Sequence, residues 1–352
     1  MTSIKGTGSV LPELVVPNSE FHSNVFYDKS GAALPVSGEA AAAKLEAISG
    51  IRERRYVPFD QDSRPLMTEA ATKAVEDSGL APDELDGIIV AHNAGNILIG
   101  EQAFHTVPNM AAYLKHALDV TNHECFAYDI LFACPGWLQG VIQAHQSIGA
   151  GDAENVLVVG IEVASRMLDP HDVDSMILGD GCGAAVFSKD GPGKGVISHA
   201  TFSHANKDLE NIYLGRSNKE GVPGSCWFKM NGREVYRYAT TWVPRVVKKA
   251  LDKAGLGIAD VDMFLFHQAN EKLIEAVGNH LAELYGVEQD SLEGKLPMTI
   301  QFLGNTSVAT IPTMLDLILK RNLDGYSISE GDTVVFASVG AGMHCNAVVY
   351  GF

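Results

Sequence analysis

The chain has 352 residues, of which 46% are hydrophobic and 20% charged, and 43 acidic side chains against 26 basic ones give a net charge of -17. This length and apolar content predict one large α/β unit or two domains around an extensive core, and exclude disorder. The negative charge disfavours nucleic acid and anionic membrane surfaces as partners. The longest apolar stretch, 156–164, is far shorter than the about 20 residues that span a bilayer.

The first 16 residues hold one basic residue, Lys5, and no long apolar core, so a secretory signal is not expected. The five cysteines are an odd number without a CxxC pair, which is typical of neither a disulfide framework nor a zinc cluster. The histidines between residues 92 and 145 also lack the spacing of a metal site. We therefore expect a cytoplasmic protein with reduced thiols and with neither a metal nor another cofactor.

One pattern occurs twice along the chain. KAVEDSGL at 73–80 is matched by KALDKAGL at 249–256, and each copy continues into a short apolar run. Helical spacing before a glycine and an apolar run after it predict a helix, a turn and a buried strand. Later in each half, Gly-Asp precedes a second apolar strand. We therefore expect duplicated α/β halves, 1–187 and 188–352, with parallel or mixed sheets covered by helices.

Cys134 stands directly before Pro135 and a run with helical spacing of apolar residues. Proline suits the first turn of a helix, so Cys134 is predicted at a helix N-terminus. The helix dipole lowers a thiol pKa at that place and favours the nucleophilic thiolate. The alternative interpretation is an inert cysteine in an apolar core.

His267 follows the apolar run 263–266 and is predicted at the carboxyl end of a buried strand, where open α/β sheets place ligands. It could instead cap its own loop. Asn305 precedes a second helical pattern and could be a helix cap. In the duplicated scheme Cys134 and Asn305 open equivalent helices, so the two residues and His267 are expected to converge on one pocket.

Seven motifs follow one another along the chain: SGIRERR at 49–55, ACPGW at 133–137, GDGCGAAV at 179–186, FKMNGREV at 228–235, HQAN at 267–270, GNTS at 304–307 and GAG at 340–342. In this order they resemble the β-ketoacyl-acyl carrier protein synthase III group of the thiolase-fold condensing enzymes, nearly from end to end. The resemblance implies a thiolase-like α/β fold, in which the two duplicated halves form a layered helix-sheet-helix-sheet-helix arrangement. It also implies a homodimer.

The resemblance further implies a decarboxylative Claisen condensation. Cys134 would accept an acyl primer as a thioester. His267 and Asn305 would stabilise the enolate left when a malonyl-type donor on acyl carrier protein loses carbon dioxide. The enolate would attack the Cys134 thioester, with the tetrahedral oxyanion against the backbone amides of Cys134 and Ala341.

The sequence departs from the family where its members bind coenzyme A. Lys44 and Ile48 stand at the places of a tryptophan and an arginine, and Val173 stands at the place of a second arginine. Recognition of acyl-coenzyme A is therefore expected to be altered, with a primer that arrives on a carrier protein or is larger than acetyl. Val107 replaces the phenylalanine that lines the acyl pocket across the dimer interface, and we expect it to leave more room. Asn270 of the HQAN motif is expected to line the same substrate pocket.

A basic stretch in the second half could bind the acidic carrier protein. Two acidic residues, Glu234 and Asp252, accompany seven basic ones, which are Lys229, Arg233, Arg237, Arg245, Lys248, Lys249 and Lys253. The residues predicted to dock the carrier are Lys248, Lys249, Lys253 and Lys272. A solvated helix face is the alternative.

Three other functions remain open from the sequence. Cysteine, histidine and asparagine in this chain order also serve cysteine proteases and thioesterases, so a thioester hydrolase is one alternative. A closer alternative is a non-decarboxylating condensation, or acyl transfer to an alcohol or amine. The third is a catalytically silent subunit of a heterodimer, which the presence of Cys134 disfavours.

Overall fold

The computed structural model describes residues 1–97, 103–191 and 194–352. The α-helices in these ranges are α1 Gly38–Ser49, α2 Arg64–Ser78, α3 Met110–Ala117, α4 Gly136–Ala150, α5 Gly232–Ala254, α6 Glu271–Tyr285, α7 Ile300–Leu303 and α8 Thr310–Leu319. The strands in the first half are β1 Thr2–Val10, β2 Leu14–Pro17, β3 Glu53–Tyr56, β4 Gly87–Ala91, β5 Asn96–Ile97, β6 Phe104–His105, β7 Phe126–Ile130, β8 Asn155–Glu162 and β9 Gly181–Lys189. Those in the second half are β10 Gly195–Ser203, β11 Ile212–Gly215, β12 Trp227–Met230, β13 Met263–Phe266, β14 Thr333–Gly340 and β15 His344–Gly351.

The two large sheets repeat one topology. The first has the order β1-β9-β8-β4-β7, and the second has the order β10-β15-β14-β13. In each, the strand after the repeated helix runs parallel to the next long strand, as β4 does to β8 and β13 does to β14. The strand that follows is antiparallel, as β9 is to β8 and β15 is to β14. The predicted duplicated α/β fold is confirmed. β9 extends to Lys189, so the first sheet ends slightly beyond the predicted boundary at residue 187.

The repeated sequence pattern folds as the spacing predicts. Gly79 caps the C-terminus of α2 and Gly255 caps that of α5, and these glycines have φ of 73° and 71°. Glycine adopts this left-handed conformation without the steric cost that a Cβ atom imposes, and so it ends the helix. In both copies a short connection then leads to a fully buried strand, β4 or β13.

Helices α4 and α8 lie between the two sheets, and their apolar residues form one core with the inner faces of both. Strand residues alternate between faces. In β4, Ile89 and Ala91 pack into this central core, whereas Ile88 and Val90 pack on α2 and α3 outside. On the far side, α5 and α6 cover the second sheet. The predicted helix-sheet-helix-sheet-helix layering is therefore confirmed.

None of the helices in the described ranges is both long enough and apolar enough to span a membrane.

Candidate active site

The turn before α4 carries Cys134, and both halves of the fold hold it. Pro135 is the N-cap of α4, so Cys134 lies at a helix N-terminus as the sequence predicts. Ala133 has φ of 52°, a strained conformation for a residue with a Cβ atom. From the second half, the Asn346 side chain donates a hydrogen bond of 3.0 Å to the Pro135 carbonyl. A Cβ atom on Gly340 would lie 2.7 Å from the Cys134 nitrogen, so this close approach requires glycine.

His267 follows directly after β13. Its backbone N–H donates to the Ala337 carbonyl of β14 at 2.9 Å, which holds it at the carboxyl end of the sheet. The residue is 6% exposed, and burial lowers the pKa of its imidazole to about 4. Within the described ranges, Nδ1 has no hydrogen-bond partner. His267 is therefore neutral at physiological pH.

Asn305 lies between α7 and α8. Its backbone N–H donates to the Ile177 carbonyl, and its carbonyl accepts from the Gly179 N–H, both at 2.9 Å. Ile177 and Gly179 belong to the first half of the chain. Its side-chain Oδ1 accepts from the Ser307 N–H at 2.9 Å, which leaves Nδ2 as a donor. α8 begins only at Thr310, after a 3-10 turn, so Asn305 does not open this helix as the sequence scheme expects. Its side chain orders the preceding turn instead.

One cavity, here called the inner cavity, is lined by Cys134, His267 and Asn305. Its volume is about 910 Å³, which includes its open mouth. Ala341, which follows β14, lines it as well. The three residues come from separate loops, and they lie at one pocket as the sequence predicts. The rest of the lining is largely apolar, and includes Ala164, Met167, Leu178, Ile212, Leu214 and Phe228.

A second cavity of about 1280 Å³, here called the outer cavity, adjoins the inner cavity and shares part of its lining, including Asn305. Asn270 lines this outer cavity, and its Oδ1 also caps α6 by accepting from the Leu273 N–H at 2.8 Å. The three positions at which the chain departs from the family's coenzyme A pattern, Lys44, Ile48 and Val173, line it too. Val107 lines neither cavity of this chain and is 91% exposed.

The predicted lowering of the Cys134 pKa is wrong. Burial raises the pKa of the thiol to about 11, and the nearby Glu162 carboxylate adds to the rise. A hydrogen bond of 3.4 Å from the Ser307 hydroxyl to Sγ acts in the opposite direction. The loss of solvation in the apolar cavity is therefore the largest influence and outweighs the hydrogen bonds that lower the pKa. The resting thiol is protonated and must lose its proton during any reaction.

The sequence interpretation did not identify the polar groups beside Cys134. Glu162 ends β8 and is 3% exposed, and it accepts a hydrogen bond from Nδ2 of Asn93. The same Asn93 nitrogen donates to Ser307 Oγ at 3.0 Å. A carboxylate at the end of an otherwise apolar strand is the signal that could have revealed this group, since a buried carboxylate is costly unless polar partners surround it.

The basic stretch does not form a single surface. Lys229 is 2% exposed, and its Nζ donates to Asp169 at 2.6 Å and to Asp172 at 2.8 Å. Lys248 forms an ion pair of 2.7 Å with Asp252. Lys229 is therefore part of the buried structure rather than of a docking face.

The four lysines predicted to dock the carrier protein do not lie at one place either. The outer cavity is lined by the first turn of α5, including Tyr236, and by the start of α6. Lys249 lies thirteen residues beyond Tyr236 on α5, about 20 Å along the helix, and Lys248 and Lys253 are at the same end. Lys272, in contrast, is exposed in the first turn of α6, beside the cavity-lining Leu273.

We expect Lys229→Met to lower the free energy of unfolding by about 3–5 kcal/mol, because two buried carboxylates would lose their counter-charge. Urea unfolding followed by circular dichroism measures the change. The matched control is Lys249→Met on the exposed face of α5, which should change the stability by no more than about 0.5 kcal/mol. Equal effects of the two substitutions would contradict the structural role of Lys229.

The family described as 3-Oxoacyl-[acyl-carrier-protein (ACP)] synthase III matches residues 128–205, and its C-terminal counterpart matches 251–352. The β-ketoacyl-[acyl-carrier-protein] synthase III of Staphylococcus haemolyticus is 33% identical over 347 residues, which cover 98% of this chain and 97% of that protein. The chain belongs to the synthase III family.

Solved structures of synthase III enzymes have the same fold. That from Thermus thermophilus is 30% identical, with a TM-score of 0.80 over 99% of each chain. That from Aquifex aeolicus is 27% identical, with a TM-score of 0.81 over the whole of both chains. The resemblance drawn from the seven motifs is therefore confirmed.

In the described ranges of this synthase III family member, no three His, Cys, Asp or Glu side chains are arranged to hold a metal ion.

Proposed function

We propose that the protein is an acyltransferase that condenses a Cys134-bound acyl primer with a malonyl-type donor on acyl carrier protein, with loss of carbon dioxide. The observation that carries this proposal is the meeting of one thiol and two neutral hydrogen-bond donors, His267 and Asn305, in a largely apolar cavity. Its relatives in Staphylococcus haemolyticus and Cereibacter sphaeroides, both β-ketoacyl-[acyl-carrier-protein] synthases III, support it.

The reaction has two halves. In the first, the Cys134 sulfur attacks the primer thioester and the carrier thiolate leaves. In the second, the malonyl carboxylate departs as carbon dioxide and its bonding electrons form an enolate, whose oxygen accepts hydrogen bonds from His267 and Asn305. The enolate carbon then attacks the Cys134 thioester. The backbone amides of Cys134 and Ala341 are the donors proposed for the tetrahedral oxyanion, before the cysteine thiolate is expelled.

A hydrolase is disfavoured by the state of His267. A cysteine hydrolase needs a basic imidazole that forms an ion pair with the thiolate. Burial lowers the pKa of His267 to about 4, and its Nδ1 lacks the orienting acceptor of a hydrolase triad within the described ranges. Such an imidazole is a poor base and a good neutral donor, which suits enolate stabilisation. The synthase III relatives likewise do not favour the non-decarboxylating alternative.

The test of the proposal combines two measurements on the purified protein. Intact-mass spectrometry after incubation with an acyl donor should show one acyl group, located at Cys134. Addition of malonyl-acyl carrier protein should then release carbon dioxide and form a β-ketoacyl thioester. Release of free acid without carbon dioxide would instead indicate a hydrolase.

We propose a primer larger than acetyl, delivered by a carrier protein. The inner cavity has apolar walls at Ala164, Met167 and Leu178. Among the described residues that line the outer cavity, Lys44 is the single cation, and Asp174 accompanies it. This lining offers little to the phosphates of coenzyme A, whereas an uncharged pantetheine arm could pass through it.

Octanoyl donors should therefore acylate Cys134 at least about tenfold faster than acetyl-coenzyme A, because the added methylenes are buried against the apolar walls of the inner cavity. The rates are measured by intact mass at early times. Ala164→Phe, which narrows the inner cavity, should slow octanoyl transfer more than acetyl transfer. The opposite order of rates in the unmodified protein, with acetyl-coenzyme A far faster, would refute the proposed primer.

Carrier docking is proposed near Lys272, since this lysine is beside the outer cavity. Lys272→Glu should raise the KM for malonyl-acyl carrier protein about fivefold and leave kcat unchanged, as expected for a peripheral charge that steers an acidic partner. Lys249→Glu is the matched control, with the same change of charge at the far end of α5, and should have a smaller effect. Equal effects would favour the broader surface of Lys248, Lys249, Lys253 and Lys272.

We further propose a homodimer. β7 is the edge strand of the first sheet in the described ranges, and it pairs only with β4. Leu131, next to this edge, is 65% exposed, and Val107 is an exposed apolar residue in the same half. Pairing with a second copy would cover such an edge, and Val107 would then reach the partner's acyl pocket. All five cysteines are free, which supports a cytoplasmic location.

A further inference from the structure

One wall of the inner cavity is a hairpin, residues 212–230, in which β11 and β12 pair with each other as a separate two-stranded sheet. We call it the hairpin wall. The apolar side chains with which it lines the cavity include Ile212, Leu214, Phe228 and Met230. These four residues form two directly paired positions across the strands, so they lie on one face of the hairpin. A two-stranded sheet is at best marginally stable by itself, so the position of this wall depends on contacts with the rest of the fold.

The opposite face of the hairpin wall carries Lys229. This residue alternates with cavity-lining residues along β12, so its side chain points away from the inner cavity. Its Nζ donates to Asp169 Oδ2 at 2.6 Å, to Asp172 Oδ2 at 2.8 Å and to Asn218 Oδ1 at 2.9 Å. An ammonium group has three N–H donors, and these bonds use all of them. Lys229 therefore fastens the back of the wall to the first half of the fold.

Asp169 also holds the loop that connects β11 to β12. Its Oδ1 accepts from the Ser217 hydroxyl at 2.9 Å, and its Oδ2 accepts from the Asn218 N–H at 2.7 Å. Nδ2 of Asn218 donates in turn to the Tyr27 carbonyl at 2.9 Å. Burial raises the pKa of Asp169, but hydrogen bonds from Lys229 and from its other donors bring it below the ordinary value, so the group is charged.

The residues that join the wall to the first half are Asp169, Asp172, Asn218 and Lys229, and we call them the clasp. None of the four lines the inner or the outer cavity. Their influence on a bound primer is therefore indirect. Asp169 follows two residues after Met167, which belongs to the first-half wall of the inner cavity. The clasp thus fixes the hairpin wall relative to the first-half wall.

We propose that the clasp limits the length of the acyl primer by fixing the hairpin wall relative to the wall at Met167 and Leu178. This inference rests on the proposed function, because it concerns the primer bound at Cys134. A chain that is too long for the inner cavity fits only if the hairpin wall moves outward. That movement would separate Lys229 from two buried carboxylates, and an unpaired buried charge is costly. Lys229 and its clasp partners are positioning residues, because they act through the wall.

The test compares two donors, octanoyl- and hexadecanoyl-acyl carrier protein, and measures acylation of Cys134 by intact mass at early times. Lys229→Met removes the centre of the clasp and keeps a side chain of similar length. Asn218→Ala is a milder variant, because Lys229 keeps its ion pairs with both carboxylates. Hydrogen-deuterium exchange of residues 212–230, measured without substrate, reports the mobility of the wall.

The matched control is Asp316→Ala. This buried carboxylate joins α8 to β1 by accepting from two hydroxyl groups at 2.8 and 2.6 Å, and it lines neither cavity. Its replacement should lower the stability of the protein without loosening the hairpin wall. A general loss of stability lowers the rates with both donors alike, whereas a moved wall changes their ratio.

We expect the unmodified protein to react at least about tenfold faster with the octanoyl donor, and Lys229→Met to reduce this preference at least about fivefold. Asn218→Ala should reduce the preference in the same direction by at least about twofold. Exchange of residues 212–230 should become at least about tenfold faster in Lys229→Met, because amide groups exchange through local opening. Asp316→Ala should change neither the preference nor this exchange.

Equal rates with the two donors in the unmodified protein, or an unchanged preference in both clasp variants, would overturn the proposal. A reduced preference without faster exchange of residues 212–230 would do so as well, because the wall would not have moved. If Lys229→Met does not fold, Asn218→Ala decides the question alone. The proposed function fails, and this inference with it, if no donor acylates Cys134 in the unmodified protein. An acylated protein whose variants keep its preference refutes the clasp alone.

Discussion

Cys134→Ala should abolish acyl-enzyme formation and lower the rate of β-ketoacyl synthesis by at least about a thousandfold, because the covalent intermediate cannot form. Decarboxylation of the malonyl donor should persist in this variant. The groups proposed to stabilise the enolate are His267 and Asn305, which the substitution leaves in place. Without a thioester to attack, the enolate would take a proton and yield an acetyl thioester.

Three products separate these steps: the intact mass of the protein, the carbon dioxide released, and the carrier-bound acyl group. The control is Cys226→Ala, since Cys226 lines neither cavity. That variant should behave as the unmodified protein in all three measurements. An acyl adduct on the Cys134→Ala protein would contradict the assignment of the nucleophile.

His267→Ala and Asn305→Ala should slow decarboxylation of the malonyl donor far more than acylation of Cys134. Each removes one donor to the enolate oxygen, and the loss of such a donor costs about a hundredfold to a thousandfold in rate. Self-acylation of Cys134 should be reduced far less, because neither side chain is needed to expel the primer's carrier. Single-turnover acylation by intact mass and carbon dioxide release from malonyl-acyl carrier protein measure the two halves separately. Equal loss in both would contradict the division of roles.

The pH dependence of decarboxylation adds a check on His267. Burial lowers its pKa from 6.5 to about 4, so the imidazole stays neutral from alkaline pH down through pH 6. Decarboxylation should therefore not fall with the protonation of an ordinary histidine near pH 6.5, and the loss due to His267 should begin only as the pH approaches 4. The same depressed pKa makes His267 contribute stability above pH 6.5, and this contribution is lost as the pH falls toward 4. A midpoint near 6.5 that disappears in His267→Ala would contradict the buried, neutral imidazole.

The repeated segments, the glycine that ends each repeated helix and the apolar strands behind it predicted the duplicated α/β fold. These features are local, because a left-handed glycine and a run of strand-forming residues act within a few positions. The position of Cys134 before Pro135 likewise predicted the start of α4 correctly. Asn305 was less well predicted, because a 3-10 turn separates it from α8 and no local signal marks such a turn.

The electrostatics of the site could not be inferred in this way. The thiol at a helix N-terminus was expected to have a lowered pKa, whereas the enclosed cavity raises it to about 11. Lys229 was counted with a basic surface, whereas Asp169 and Asp172 enclose it in the interior. Both errors have one cause, since desolvation depends on residues far apart in the chain.

The amino-acid sequence by itself determined the duplicated architecture, the family, and the convergence of Cys134, His267 and Asn305. The architecture and the family follow from periodicity and from motifs that each lie within a few residues, and the convergence was inferred from the duplication of the two halves. Only the tertiary structure decided the ionisation of the thiol, the neutral state of the imidazole and the hydrogen bond from Ser307 to Cys134. These properties arise where β8, the Asn305 loop and the Cys134 turn enclose a largely apolar cavity, and the ionisation of a group in such a cavity depends on every group that surrounds it.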